Sequence, residues 1–323
     1  MEINQIICGD AFQAIKDIPD ESVNLIITSP PYWKQRRYTD LPQEIGNESS
    51  VEDYFTKLWT MFSECYRITK EDGSIVFNLG DRWENGSMQL LPWMWAHCAL
   101  LDEVRLVNII YWVKKNPAPN QHKRRLLNSI EPFFHFAKSS NYYFNSAGYQ
   151  KKSKSEKKVS DKIGQKYFQL IEKSDLSEAE KGRAEEELKQ AIEDAKSGLI
   201  VGFRMKIRGI HALPYGGQSG GRMNDINKKG FTLIRYPGTS NLKRNVIEAA
   251  TETRKRQNHT AVFPEKVVTE LLYLLSRPGD VVFDPFCGSG TTCIAAKKQN
   301  RRYLGIELNE TYVKSAQERL ASL

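Results

Sequence analysis

Short apolar runs alternate with amphipathic stretches up to about Tyr149, break off, and resume at about Phe263, and this split alternation restricts the folds open to the chain. The segments Val23–Ile27, Ser74–Leu79, Leu106–Val113 and Pro132–Ala137 read as strands. Between them, Val51–Ile68 carries Tyr54, Leu58, Met61, Phe62 and Cys65 at helical spacing, and Gln89–Leu101 reads as a second helix. After the break, Val267–Ser276 is a helix behind Pro264, followed by strand Val281–Phe286, helix Thr291–Gln299, strand Tyr303–Leu308 and helix Glu310–Leu320. Strands alternating with helices predict the α/β class, with a doubly wound, mostly parallel sheet. A chain of 323 residues holds one such domain plus a smaller module. The expected division is 1–147 for the first part of the sheet domain, 148–257 for an insertion, and 258–323 for the second part.

The insertion holds the charge. Residues 151–197 carry twelve Lys/Arg and eleven Asp/Glu, with strong helical character from Ser177 to Lys196, as in a solvated helical arm. Residues 198–258 are rich in Gly, Arg, Lys and Asn, which predicts loops on a small scaffold. The net charge is +8, and residues 201–258 alone contribute twelve Lys/Arg against three acids, so this segment accounts for the whole excess. Such a concentrated basic segment points to nucleic acid. Most of its cations are expected on phosphates, and few on base edges. Arg208, Arg222, Lys228, Lys229, Arg235, Lys243 and Arg244 are candidates, joined by Arg36 and Arg37 nearer the N-terminus. Five scattered cysteines with no Cys-x-x-Cys pair argue for reduced core residues, with neither a disulfide framework nor a metal site. The chain shows no apolar stretch long enough for a membrane span and no signal-peptide pattern at its start, so a cytoplasmic location is expected.

Two short motifs carry the chemistry. In Val281-Val-Phe-Asp-Pro-Phe-Cys-Gly-Ser-Gly-Thr-Thr, Gly288 and Gly290 join a strand to a helix, a turn at which backbone can approach a ligand closely. Glu307 ends the next strand about 20 residues on, where an acid can accept from both ribose hydroxyls of a nucleoside cofactor. This spacing alone does not separate a nicotinamide dinucleotide from S-adenosylmethionine. No Gly-Lys-Ser/Thr follows, which argues against triphosphate chemistry. The second motif, Ser29-Pro30-Pro31-Tyr32, follows a strand at the edge where open α/β sheets bind ligands. Two prolines fix the direction of the backbone carbonyls and bring no N–H, Ser29 adds a hydroxyl acceptor, and Tyr32 and Trp33 add planar faces. The set suits a planar ligand bearing an NH₂ group. Asp81, just past the Ser74–Leu79 strand, is a further candidate for that edge, while His135 and His211 read as structural.

Together, Ser29-Pro30-Pro31-Tyr32 and Asp284-Pro-Phe-Cys-Gly-Ser-Gly-Thr-Thr resemble the DNA amino-methyltransferase family. The early catalytic turn and late cofactor loop resemble the order of its beta class. Cys8-Gly9-Asp10 and Asn258-His-Thr-Ala-Val-Phe-Pro264 are similar to further segments of that family. The resemblance covers roughly 1–145 and 258–323. It implies a Rossmann-like methyltransferase sheet with 148–257 as the inserted target-recognition module, S-adenosylmethionine as methyl donor, and double-stranded DNA as partner. It also implies site roles: Asp284 and the Gly288–Gly290 loop at the methionine end, with His259 and Thr260 helping there, Phe286 and Thr291 near the cofactor, Glu307 at the ribose and Asp10 at the adenine. The target base would leave the duplex, stack on Tyr32, and donate its amine hydrogens to Ser29 and to the Pro30 carbonyl. A Ser in place of Asp at position 29 accompanies cytosine N4 specificity in the family, with adenine N6 as the alternative. An RNA methyltransferase and a non-catalytic DNA-binding regulator are rival readings. A monomer or homodimer, and a companion restriction endonuclease in a bacterial, archaeal or phage setting, complete the expectation. Cytosine C5 chemistry needs a nucleophilic cysteine, usually after proline, and no Pro-Cys pair exists; Cys287 is expected to serve packing.

Overall fold

The computed structural model describes residues 2–37, 39, 41–102, 104–117, 124–145, 163–197, 200–211, 222–237, 244–251 and 264–323. The chain divides into two compact units, Met1–Gly148 with Arg244–Leu323, and Tyr149–Lys243. In chain order the first unit contains β1 (Gln5–Cys8), α1 (Ala11–Ala14), β2 (Val23–Thr28), α2 (Val51–Ile68), β3 (Thr69–Asn78), β4 (Trp83–Glu84), β5 (Ser87–Met88), α3 (Leu91–Leu101), β6 (Arg105–Lys114) and β7 (Ile130–Ala137). The second contains α4 (Gln165–Glu172), α5 (Glu178–Lys196), β8 (Ile200–Ile207), α6 (Arg222–Lys229) and β9 (Phe231–Pro237). The first unit then resumes with β10 (Val246–Ala249), α7 (Glu265–Leu275), β11 (Val281–Asp284), α8 (Thr291–Lys298), β12 (Arg302–Glu307) and α9 (Glu310–Ala321).

Eight strands form the main sheet in the order β1-β12-β11-β2-β3-β7-β6-β10. Neighbours run parallel except β7, which is antiparallel to both β3 and β6. This is the doubly wound, mostly parallel sheet that the alternation predicts. All six residues of β2 are buried, as expected for a central strand covered on both faces. Ile26 and Phe283 join a cluster with Leu58, Phe62 and Trp95 from α2 and α3, while their neighbours Leu25 and Val282 are equally buried on the other face. The period of two along each strand therefore sorts one core to each side of the sheet.

Local chemistry sets the boundaries. Ser50 caps α2 by accepting from the Asp53 N–H, and Glu52 and Asp53 lie in the first turn, where the helix dipole favours acids. The strand β3 begins at Thr69, earlier than the Ser74 start expected from Gly73. Gly73 lies inside it, where a Cβ would meet Thr69 Cγ2 at 2.7 Å and the Asn24 carbonyl at 2.9 Å, and the pairing with β2 shifts register at this point. Asp81 caps the entry to α3: its carboxylate accepts from the N–H groups of Arg82, Leu90 and Leu91.

The second unit has a core of its own. Ser177 and Glu180 form a reciprocal capping box at the start of α5. Ala184 and Leu188 of that helix pack with Tyr167, Ile171, Met205, Ile207 and Phe231 from α4 and the antiparallel β8–β9 pair. The charged helix expected as a solvated arm is thus one wall of a small α/β unit, and the basic stretch supplies the other wall. Residues 244–257 fall within the basic stretch by composition, yet Val246–Ala249 pairs with Tyr111–Lys114 as the last strand of the main sheet.

Candidate active site

A cavity of about 800 Å³ opens at the carboxyl edge of the main sheet. Segments that follow β1 (Asp10), β2 (Ser29 to Tyr32), β3 (Asn78), β6 (Lys114), β11 (Asp284 to Ser289) and β12 (Glu307) all line it. Open α/β sheets bind ligands at this edge, where successive connections leave the sheet in opposite directions. Here β11 and β2 are the neighbours at that reversal, and the Thr28 hydroxyl donates to Asp284 Oδ1 at 2.7 Å, joining the two motifs across it. The Ser-Pro-Pro-Tyr turn and the Gly288 loop, joined through Thr28 and Asp284 256 residues apart in sequence, share one cleft.

The Ser-Pro-Pro-Tyr turn is held from several sides. The Tyr54 hydroxyl donates to the Pro31 carbonyl at 3.0 Å, and the Trp33 indole N–H donates to the Glu48 carbonyl at 3.2 Å. Asn78 Nδ2 donates to the Pro132 carbonyl at 2.9 Å, which turns Asn78 Oδ1 toward the cavity as an acceptor. That oxygen lies 2.6 Å from the Tyr32 hydroxyl and 3.2 Å from Ser29 Oγ. Ser29 Oγ is also 3.1 Å from the Tyr32 hydroxyl, which in turn lies 3.2 Å from Glu131 Oε2. Lys114 Nζ pairs with the other oxygen of Glu131. Because the Ser29 proton has internal acceptors, the lone pairs of Oγ are left to receive hydrogens from a ligand.

On the other half, Asp284 is buried and its carboxylate accepts from Thr28, from Thr292 Oγ1 at 2.7 Å and from the Phe286 N–H at 3.1 Å. Burial outweighs these bonds and pushes its pKa up to about 6. Glu307 accepts from the Gly288 N–H and the Asn309 N–H, each at 2.8 Å, so it also shapes the Gly loop; burial raises its pKa. Asp10 caps α1 through the Phe12 N–H and reaches the cavity, as do Phe286, Gly288 and Thr291. Gly290 has a different task. It caps α8 at φ +77°, and a Cβ there would approach Ala316 Cβ to 2.8 Å, so the glycine permits α8 to pack on α9. Cys287 is buried, and its hydrogen bond with Cys293, then burial, push its thiol pKa well up, as suits packing and not nucleophilic chemistry.

Acids at the rim and floor suit a cationic nucleoside cofactor, and the volume accommodates it beside a planar base. The Asp284 carboxyl gives a testable sign. Its ordinary value is 3.8 and its folded value about 6, so ionising it lowers stability as pH rises between those values and leaves the full penalty above about 6. A bound cation offsets that penalty. Affinity for S-adenosylmethionine is therefore expected to strengthen as pH rises toward about 6 and then level off, with binding at pH 5 about tenfold weaker than at pH 7 by isothermal titration. Affinity that is flat or stronger at pH 5 would contradict this electrostatic role.

Other sequence candidates are placed as follows. Arg36 lines the cavity and Arg37 follows it on the exposed side. Arg208 pairs with Glu180 at 2.9 Å, Arg235 with Asp194 at 3.4 Å and Lys229 with Glu187 at 3.6 Å, so acids of α5 offset part of the basic surplus. Lys228 and Arg244 are exposed. His259, Thr260 and Lys243 lie outside the described residues, as does the side chain of Arg222. Asp81 is occupied as a helix cap and is not part of the cavity wall. His135, buried against Ser74 Oγ at 3.0 Å, has its pKa lowered by burial to about 4 and is structural. His211 accepts from the Ile207 N–H at 3.1 Å. Asn78, Gly80, Trp112, Lys114 and Glu131 were not singled out by sequence. Their signal was position at strand ends, and for Glu131 it was concealed because β7 runs antiparallel and brings its first residues to the ligand edge.

Known proteins resemble this chain over nearly its whole length. The DNA methylase family of N6 and N4 methyltransferases matches residues 23–318. The Type II methyltransferase M.Cfr9I of Citrobacter freundii is 25% identical over 97% of this chain and 86% of its own. The DNA adenine methyltransferase YhdJ of Escherichia coli K12 is 26% identical over 99% of this chain and 83% of its own. Among solved structures, the cytosine-N4-specific PvuII DNA methyltransferase superposes with a TM-score of 0.60 at 17% identity, covering 97% of this chain and 85% of that one. M1.HpyAVI in complex with S-adenosylmethionine superposes with a TM-score of 0.53 at 19% identity, covering 98% of both chains. With its Ser-Pro-Pro-Tyr turn ahead of its Gly288 loop, this chain belongs to the S-adenosylmethionine-dependent N4/N6 DNA amino-methyltransferase family.

Proposed function

We propose that the protein methylates the exocyclic N4 of a cytosine turned out of double-stranded DNA. The observation that carries this reading is the shared cavity, in which the Ser29 turn and the Gly288 loop meet. S-adenosylmethionine supplies an electrophilic methyl group on a sulfonium. An exocyclic amine is a weak nucleophile because its lone pair is delocalised into the ring. Ser29 Oγ and the Pro30 carbonyl accept its two hydrogens, favour the pyramidal amine and stabilise positive charge on the nitrogen. Tyr32 offers the stacking face, and Glu307, Asp10 and the Gly288 loop hold the donor in line. Arg36, Arg37, Lys228 and Arg244 contact phosphates. Contacts from Arg208, Lys229, Arg222, Lys243 and Arg235 add to these, and for Arg208, Lys229 and Arg235 they compete with ion pairs to α5. The Type II relatives support a companion restriction endonuclease acting at the same sequence.

Serine at position 29 favours cytosine N4. The adenine methyltransferase that aligns over 99% of the chain keeps adenine N6 as the second reading. Methylation of mixed-sequence duplex DNA, followed by digestion and mass analysis of the nucleosides, separates them. The expected product is N4-methyldeoxycytidine. N6-methyldeoxyadenosine would establish the second reading, and 5-methyldeoxycytidine or no product would contradict both.

A further inference from the structure

The nitrogen that gains a methyl group must lose a proton, and a base seated on the Ser29 turn would set its amine against hydrogen-bonded groups able to carry that proton away. We propose that Ser29, Tyr32 and Glu131 form a proton relay from the target amine to solvent, an inference that rests on the amino-methyltransfer reading above. Ser29 Oγ to the Tyr32 hydroxyl is 3.1 Å and the Tyr32 hydroxyl to Glu131 Oε2 is 3.2 Å, so three oxygens stand in line at hydrogen-bond spacing. As the new N–CH₃ bond forms and the C–S bond breaks, the nitrogen becomes positive. One N–H proton passes to Ser29 Oγ, the Ser29 proton to the Tyr32 oxygen, and the Tyr32 proton to Glu131. Glu131 ends as the carboxylic acid, and its side chain, 17% exposed, returns the proton to water. The two hydroxyls are unchanged in composition.

The alternatives nearby are less suited. Asn78 Oδ1 touches both hydroxyls, but an amide oxygen is too weak a base to keep a proton; it orients them. Asp284 and Glu307 also line the cavity, yet their oxygens already receive donors from the cofactor loop and its neighbours. Lys114 from β6 pairs with one oxygen of Glu131, which leaves the other facing the Tyr32 hydroxyl. Among the described residues, the groups facing Glu131 are Lys114 from β6 and the Tyr32 hydroxyl from the turn after β2, with neutral Asn78 at the end of β3. Glu131 thus acts through Tyr32, without touching the base.

The test is single-turnover methyl transfer in a preformed complex of protein, S-adenosylmethionine at saturation and duplex DNA, so that the titration of Asp284 does not enter. Glu131→Gln is expected to slow transfer by about 10²-fold with cofactor and DNA affinities unchanged. The solvent deuterium isotope effect on the wild-type rate should be absent in Glu131→Gln. It should be absent as well in Tyr32→Phe, which keeps the ring and removes the relay hydroxyl. Tyr32→Phe with Glu131→Gln should be no slower than the slower single variant. A wild-type rate in Glu131→Gln, an isotope effect that persists there, or losses that multiply in the double variant would overturn the relay. Should Glu131→Gln fail to fold, Tyr32→Phe decides: an isotope effect equal to that of the wild type overturns the proposal. A wild-type protein that transfers no methyl group would instead overturn the amino-methyltransfer reading.

Discussion

Ser29→Ala is expected to slow methyl transfer by about 10²- to 10³-fold, the scale on which a single preorganised polar group aimed at developing charge acts. Affinities for S-adenosylmethionine and for DNA should change by less than about twofold. The serine sits in the middle of a hydrogen-bonded set, with Asn78 Oδ1 at 3.2 Å and the Tyr32 hydroxyl at 3.1 Å. Its proton is committed inward, and what it offers a base is an acceptor. Alanine keeps the turn, since the Tyr54 bond to the Pro31 carbonyl and the Trp33 bond to Glu48 do not involve Ser29. Comparing single-turnover rates with equilibrium binding separates the two effects. Equal losses in rate and binding would mean that Ser29 serves the architecture of the turn and not the transition state.

Gly80→Ala, a change outside both sequence motifs, is expected to lower the transfer rate by about 10²-fold, since a misplacement of about 1 Å can cost that much. A Cβ on residue 80 would lie 2.2 Å from Tyr32 Cε2 and 2.3 Å from Cδ2, far inside contact distance. The ring must move, and with it the hydroxyl that bridges Ser29, Asn78 and Glu131. The strain falls on a half-buried side chain and not on the sheet, so thermal stability should change little while the stacking face is lost. Full activity of Gly80→Ala would show that Tyr32 need not occupy its observed position.

What could be read from the sequence was what local chemistry determines. The Ser-Pro-Pro-Tyr turn and the Gly288 loop each carry their meaning within a few residues, and the alternation of apolar runs places both at strand ends. What could not be read depends on register between distant segments. Glu131 reaches the cavity because β7 reverses direction, which an expectation of parallel strands does not foresee. Gly80 matters only because the Tyr32 ring lies over it. The insertion teaches the same point about charge. A surplus of cations in 201–258 is visible in composition, but the pairing of Arg208 with Glu180 and of Arg235 with Asp194 depends on α5 packing beside β8 and β9. Val246–Ala249 sits in a basic stretch yet completes the main sheet, because backbone pairing with β6 is indifferent to the charge of its neighbours.

The most direct test of the shared cleft is a crystal structure of the protein with sinefungin, a non-transferable analogue of the methyl donor, and a duplex carrying the modified sequence. The analogue is expected against Gly288 and Glu307, with an extruded base on Tyr32 whose amine donates to Ser29 Oγ. An analogue bound elsewhere, or a base whose amine lies away from Ser29, would contradict this arrangement.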